Sequence, residues 1–242
     1  SKPRLFRLPK DEALINRMGF NNDGIDVIVA RLKKRYTNII IGGNIGKNKI
    51  TSNEFAALDY KQCFDKIAPY VDYIVLNISS PNTPNLRELQ NKLELQSLLT
   101  QVQKLNNQKY NKPILIKISP DLSIAQIDEI LGLIRKFDIS GIIATNTSSN
   151  REDLQTLSQV VEKKGVGGLS GKPLYLKSKK IVNYIHTQTQ GNLPIIAVGG
   201  IMNADDAVAM LNAGASLVQI YSGFVYHGPS IVSEINKKIL RH

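Results

Sequence analysis

The sequence predicts an α/β protein of the (β/α)8 TIM-barrel class, to which this chain of 242 residues supplies about six strands. Three observations carry that expectation. Short β-branched runs alternate with longer amphipathic segments, the pattern of a parallel sheet covered by helices. No Gly-x-Gly-x-x-Gly turn follows the first strand, as an open dinucleotide-binding sheet would want. Glycines cluster late instead: after the 165–171 run, the pairs Gly199-Gly200 and Ser222-Gly223 follow the last two strands, where barrels commonly bind phosphate.

Taken in order, the segment 11–36 holds a helix marked by Ile25, Val27, Ile28 and Leu32, with no good strand before it. Strands are expected at 38–44, 73–79, 113–119, 141–146, 193–199 and 216–221. Helices are expected between and after them at 53–68, 86–105, 123–137, 151–164, 174–187, 203–213 and 229–240. Ser123 ahead of Ile124, and Asn203 ahead of Ala204-Asp205-Asp206, are N-cap signals. Six strands do not close a barrel of eight, so two strands and their turn are expected upstream of this sequence.

Composition limits the rest. A chain with 42% hydrophobic residues can bury a full core as one α/β domain. The single cysteine, Cys63, excludes an internal disulfide framework and reads as a core or semi-buried thiol. His186 and His227 lack ligand spacing, and no metal is expected. Neither a membrane-crossing apolar stretch nor a signal-peptide core behind Ser1-Lys2-Pro3-Arg4 is present, so the chain reads as soluble. The net charge of +11 comes from scattered groups such as Lys33-Lys34-Arg35 and Lys237-Lys238, mostly on predicted helices. That distribution describes a solvated outer face, with acidic lipid headgroups the minority reading and no nucleic-acid partner expected.

The strand ends carry polar residues that an apolar core would not choose. The first ends in Gly42-Gly43-Asn44, the second in Asn77-Ile78-Ser79-Ser80-Pro81-Asn82, and the fourth in Thr145-Asn146-Thr147. Lys117 stands between Ile116 and Ile118 and needs an acceptor; Asp121 is the nearest acid in sequence, and the electron-rich edge of a cofactor ring would serve. Asn77 and Asn82 offer amide donors and acceptors suited to a planar heterocycle, while Ser79 and Ser80 have no histidine near them in sequence. Such a site suits orientation and proton abstraction, not serine-protease chemistry. Asn85 reads as a turn residue tolerating positive φ.

Nine stretches, in order, resemble the class 2 dihydroorotate dehydrogenases. They are Lys2-Pro3-Arg4-Leu5-Phe6-Arg7, Asn16-Arg17-Met18-Gly19-Phe20-Asn21-Asn22, Asn44-Ile45-Gly46-Lys47-Asn48-Lys49, the 77–87 loop, Lys117-Ile118-Ser119-Pro120-Asp121-Leu122, Thr145-Asn146-Thr147, 167–173, Val198-Gly199-Gly200-Ile201 and Ile220-Tyr221-Ser222. The resemblance implies an FMN barrel enzyme of pyrimidine synthesis, its catalytic domain spanning 1–242, that oxidises dihydroorotate to orotate and passes electrons to a membrane quinone. It implies Ser80 as catalytic base, where class 1 relatives place cysteine. FMN would be bound by Asn44, Asn77, Lys117, Thr145, Gly171, Gly200, Tyr221 and Ser222. Substrate contacts would come from Asn16, Arg17, Met18, Gly19, Phe20, Asn77, Asn82, Asn146 and Thr147.

By the same resemblance, the family's first two strands and membrane-docking helices precede Lys2-Pro3-Arg4, and peripheral attachment to the cytoplasmic side of the cell membrane would come from that absent segment. Serine is a poor base unless assisted, and desolvation under a closed loop with a relay through Thr83 is the expected help. Lys117 would stabilise charge on the reduced ring, and glycines near Gly171 and Gly200 would let backbone N–H groups approach the phosphate. Two alternatives stand beside this reading. One is another FMN barrel enzyme, such as a tRNA dihydrouridine synthase, which wants cysteine where Ser80 stands; the other is a non-catalytic barrel fragment.

Overall fold

Two short apolar stretches near the start of the chain, where the sequence suggests no strand, form an antiparallel hairpin. The structure is a computed structural model describing residues 2–35 and 38–241, so that Ser1 and Tyr36, at the edges of two sequence expectations, lie outside the described residues. Along the chain run β1 (Leu5–Leu8), β2 (Ala13–Asn16), α1 (Ile25–Leu32), β3 (Gly42–Ile45), α2 (Ala56–Ile67), β4 (Tyr73–Asn77), α3 (Lys92–Lys109), β5 (Ile114–Ile118) and α4 (Ile124–Lys136). They continue as β6 (Gly141–Ala144), α5 (Ser158–Lys164), β7 (Gly168–Gly171), α6 (Tyr175–Gln188), β8 (Ile195–Val198), α7 (Ala204–Asn212), β9 (Leu217–Gln219), α8 (Ser222–His227) and α9 (Ser230–Ile239).

All six expected strands are present, each shorter than expected and the first shifted one residue on to end at Ile45, in a parallel sheet ordered β3-β4-β5-β6-β8-β9. The sheet curls into a half-barrel with helices on its outer face. Alternation assigns the two faces. Ile74, Leu76, Ile114, Ile116, Ile142, Ala144, Ile195 and Ala197 point outward into the main buried cluster beneath the helices. Val75, Leu115, Ile143 and Val198 point inward and pack together. Two residues beyond that inner layer, on the same face, come Asn77, Lys117 and Thr145. Asn77 and Lys117 are direct register partners across β4 and β5, so the apolar floor of the half-barrel carries a polar layer at the strand tips.

The second sheet has the order β1-β2-β7, all antiparallel. Its strands are four residues each, and the β1–β2 link passes through a short helical turn and Glu12 at φ 46 rather than a glycine or asparagine turn. β2 is buried at Ala13, Leu14 and Ile15, so it shows no alternation to read. β7 is Gly-Leu-Ser-Gly, a poor strand by propensity, held by pairing Ala13 with Gly171 and Asn16 with Gly168. This sheet carries Asn16 and Gly171 to the mouth of the half-barrel.

Two helices depart from expectation. The 86–105 segment breaks at Asn91, whose ψ of 148 separates a short helical turn from α3. Only the last half of 151–164 is helical, because the buried Asp11 carboxylate takes hydrogen bonds from the Gln155 and Thr156 backbone and holds that stretch against the hairpin. The cap readings hold: Ser123 forms a complete capping box with Gln126, and the Asn203 side chain accepts from Asp206 N–H. Asn85 adopts φ 56, as its turn reading requires. α8, with no expectation before it, starts at the Ser222-Gly223 pair.

Candidate active site at the strand tips

One cavity at the C-terminal ends of the parallel strands collects most of the residues singled out from sequence. Ser80, Asn77, Asn82, Lys117, Thr145, Asn146 and Thr147 line it from the tips of β4, β5 and β6. Asn16, Met18, Gly19 and Phe20 enter from the end of β2, and Gly171, Gly200, Tyr221 and Ser222 close the other side. Two expected residues are not brought in. Arg17 faces away from the cavity, because it alternates with Asn16 at the end of β2. Its guanidinium donates to Val166 O (2.7 Å) and Lys164 O (2.8 Å) and lies 4.6 Å from the Phe6 ring centroid. Asn44, exposed on the edge strand β3, opens instead into a neighbouring hollow with Lys47, Asp59 and Cys63, which shares Gly19 and Phe20 with the first.

The amides hold one another in place. Asn82 Nδ2 donates to Asn16 Oδ1 (2.9 Å), and Asn16 Nδ2 donates to Gly168 O (3.3 Å). Asn146 Nδ2 donates to Asn77 Oδ1 (3.1 Å) and Ser79 Oγ (2.9 Å), while its Oδ1 accepts from Thr147 N–H (2.7 Å). Asn146 therefore orients its neighbours as well as lining the wall. With Asn77 Oδ1 turned inward, Asn77 Nδ2 has no partner among the described residues and is the donor left for a ligand. Beneath it, the fully buried Tyr60 hydroxyl donates to Asn77 O (2.9 Å) and accepts from Lys47 N–H, joining the tips of β3 and β4. Burial drives the Tyr60 pKa far up, so it stays a neutral donor.

Ser80 is buried, with its Oγ accepting from Asn82 N–H at 3.2 Å. Thr83 is buried in the same loop, but among the described residues no hydrogen bond joins it to Ser80. Lys117 lines the cavity wall, yet protein crowds its ammonium, and burial lowers its pKa from 10.5 to about 8. No acid answers it: among the described residues Lys117 has neither an ion pair nor a hydrogen bond. Asp121, the nearest acid in sequence, is engaged by Arg87 (2.9 Å) and Lys177 (3.0 Å), with Ser148 and Ser149 adding hydrogen bonds. Burial alone would raise the Asp121 pKa, but Ser148, Ser149 and Lys177 outweigh it and hold the carboxyl well below the usual range.

The glycines have a structural task. Gly200, at φ 76, lies so close to the start of α6 that a Cβ would stand 2.4 Å from Tyr175 N. Gly171, at φ 104, would bring a Cβ to 2.3 Å from Glu12 O. Both therefore seat loops tightly at the cavity rim. Ser170 was not singled out from sequence; it lines the cavity and accepts from Ser222 Oγ (2.9 Å). Its signal was its place in the glycine-rich run that becomes β7. Among the described residues, no group of three or more histidine, cysteine, aspartate or glutamate side chains could hold a metal ion, and no helix is long and apolar enough to cross a membrane.

A parallel half-barrel with convergent polar side chains at its strand tips defines an α/β enzyme of the TIM-barrel class. The model of the dihydroorotate dehydrogenase family matches residues 1–242, and the chain belongs to that family of oxidoreductases. It is 52% identical over 240 residues to the dihydroorotate dehydrogenase (quinone) of Christiangramia forsetii, covering 99% of this chain and 69% of that protein. The protein of the same name from Coxiella burnetii is 48% identical, with 97% and 68% covered. Among solved structures, DHODH from Eimeria tenella in complex with ferulenol superposes with a TM-score of 0.91 at 34% identity, covering 100% of this chain and 70% of that one.

Proposed function

We propose that residues 1–242 form an FMN-binding TIM-barrel catalytic domain that oxidises dihydroorotate to orotate in pyrimidine biosynthesis, the electrons leaving for a membrane quinone. The observation that carries this reading is Lys117: a crowded ammonium, without a partner among the described residues, in the same cavity as Ser80. Such a cation calls for an electron-rich partner, and the edge of a flavin ring fits it. FMN, when bound, supplies the hydride acceptor and the link to the quinone. Lys117, Asn77 and Thr145 would hold its ring side, and the backbone about Gly171, Gly200, Tyr221 and Ser222 its phosphate side. Asn44 belongs to this set only through the adjoining hollow.

The chain's own residues then divide the work. Asn16, Asn82, Asn146 and Thr147, braced by mutual hydrogen bonds, orient the substrate's imide and carboxylate edges. Met18, Gly19 and Phe20 complete the substrate wall. Ser80 takes the C5 proton as hydride leaves C6 while its own hydroxyl proton passes to water, and the Asn82 N–H on Ser80 Oγ steadies the alkoxide character that this loss gives it. Lys117 offsets charge gained by the ring. The alternative of an RNA-modifying flavin barrel wants a cysteine at the base position, and the cysteine of this chain lines the adjoining hollow instead.

The test is flavin reduction under anaerobic conditions. Dihydroorotate should bleach the flavin of the wild-type protein, and Ser80→Ala should keep its flavin while reducing it at least roughly 100-fold more slowly, the contribution of a general base. Unchanged bleaching by Ser80→Ala would remove serine as the base.

A further inference from the structure

We propose that Arg87 is a positioning residue that fixes the Ser80 loop for catalysis, with Asp121 as its anchor; this rests on the reading of Ser80 as the base. Arg87 stands seven positions beyond Ser80, in the short helical turn Leu86–Gln90, and does not line the cavity. Its guanidinium reaches back behind the cavity wall. Nε donates to Ser79 O (3.2 Å), the carbonyl of the peptide that leads into Ser80. Nη2 donates to Thr147 O (2.8 Å), the carbonyl of a cavity residue at the tip of β6. Nη1 donates to Asp121 Oδ2 (2.9 Å) and Ser149 Oγ (3.1 Å).

One planar group thus ties the backbone of the β4 loop to the backbone of the β6 loop. The anchor is fixed in turn. Asp121, just beyond β5, also takes Ser148 Oγ (2.5 Å), Ser149 N–H (2.8 Å) and Lys177 Nζ (3.0 Å) from α6. Gln90 adds a strut, donating to Arg87 O (3.2 Å) and accepting from Ser119 N–H (2.9 Å) at the end of β5. Both charged partners are mostly shielded, with side chains 25% and 20% exposed, so solvent does little to weaken the clamp. Lysine cannot replace this fork, because a single ammonium cannot address carbonyls on two loops and a carboxylate in one plane.

The consequence is kinetic. A base displaced by about 1 Å can cost on the order of 100-fold in rate without any change in what is bound. Arg87→Lys should therefore retain flavin and bind dihydroorotate within about twofold of wild type, yet reduce flavin roughly 10- to 100-fold more slowly. Asp121→Asn should show a smaller loss of the same kind, and it stands as the measurement should Arg87→Lys not fold.

The deciding readout is the double variant. If Arg87 acts through Ser80, Ser80→Ala combined with Arg87→Lys reduces flavin no more slowly than Ser80→Ala alone. Losses that multiply would make Arg87 a general structural support and overturn the proposal. A wild-type rate in Arg87→Lys beside a slow Ser80→Ala overturns the clamp and leaves the base standing. A wild-type rate in Ser80→Ala overturns the base and the clamp together.

Discussion

Replacing Lys117 with methionine should make the flavin-free protein more stable. The ammonium is crowded by protein without an ion-pair partner among the described residues, and its pKa falls from 10.5 to about 8 because burial disfavours the charged form. At about 1.4 kcal/mol for each tenfold change in proton affinity, holding the charge in place costs about 3 kcal/mol at most, less whatever water in the cavity returns. The unfolded chain keeps this proton up to its ordinary pKa, whereas the folded chain releases it near 8. Between those values the unfolded state binds more protons, so wild-type stability rises with pH across the window. Below it the full penalty applies; above it none remains. Denaturant unfolding of both flavin-free proteins at about pH 7 and about pH 10 should show the methionine variant ahead at the first and little different at the second. In thermal melts the neutral-pH advantage would reach roughly 6–12 °C. Flavin should reverse the order, stabilising wild type far more than the variant. A stability difference that does not change with pH, or none at either pH, would refute the argument that Lys117 is a charge awaiting a ligand.

Other perturbations test the scaffold around the site. Tyr60→Phe leaves the buried Asn77 carbonyl without its donor and should cost about 1–3 kcal/mol in denaturant unfolding. Gly200→Ala places a Cβ against the α6 backbone at a positive φ; the melting temperature and the flavin content should both fall, since the loop must move from the cavity rim. Ser123→Ala removes one arm of the capping box far from the cavity and should lower stability by about 1 kcal/mol while flavin content stays unchanged.

The parallel sheet is legible because its strands are β-branched runs bounded by turn residues, and Tyr73-Ile74-Val75-Leu76 leaves little room for another reading. The antiparallel sheet is not. Leu5–Leu8 and Ala13–Asn16 are short, their turn uses Glu12 in a conformation no sequence rule assigns to glutamate, and Gly168–Gly171 becomes a strand only through its partner. Tertiary pairing overrides local propensity there. In the site, each strand tip announces its polar residue, but which of two adjacent residues faces the cavity depends on the pleat. Asn16 enters and Arg17 does not, a choice visible only once β2 exists. Asn44 sits on the correct face of β3, yet the edge position opens it to the adjoining hollow. The tasks of Arg87 and Tyr60 stay silent in sequence because the groups they hold at the site include the backbone carbonyls of Ser79, Thr147 and Asn77, which carry no residue signal.

One cavity holds both the buried Ser80 hydroxyl and the Lys117 ammonium, which has no partner among the described residues, and the proposed function requires both to face one flavin and its substrate. A crystal structure of the flavin-loaded protein with orotate tests that most directly. It should place Lys117 Nζ within hydrogen-bond distance of the flavin ring and Ser80 Oγ against the C5 edge of orotate, with the asparagine amides on its polar edges. Flavin bound elsewhere, or Ser80 Oγ turned from the substrate with Lys117 still unpartnered, would contradict it.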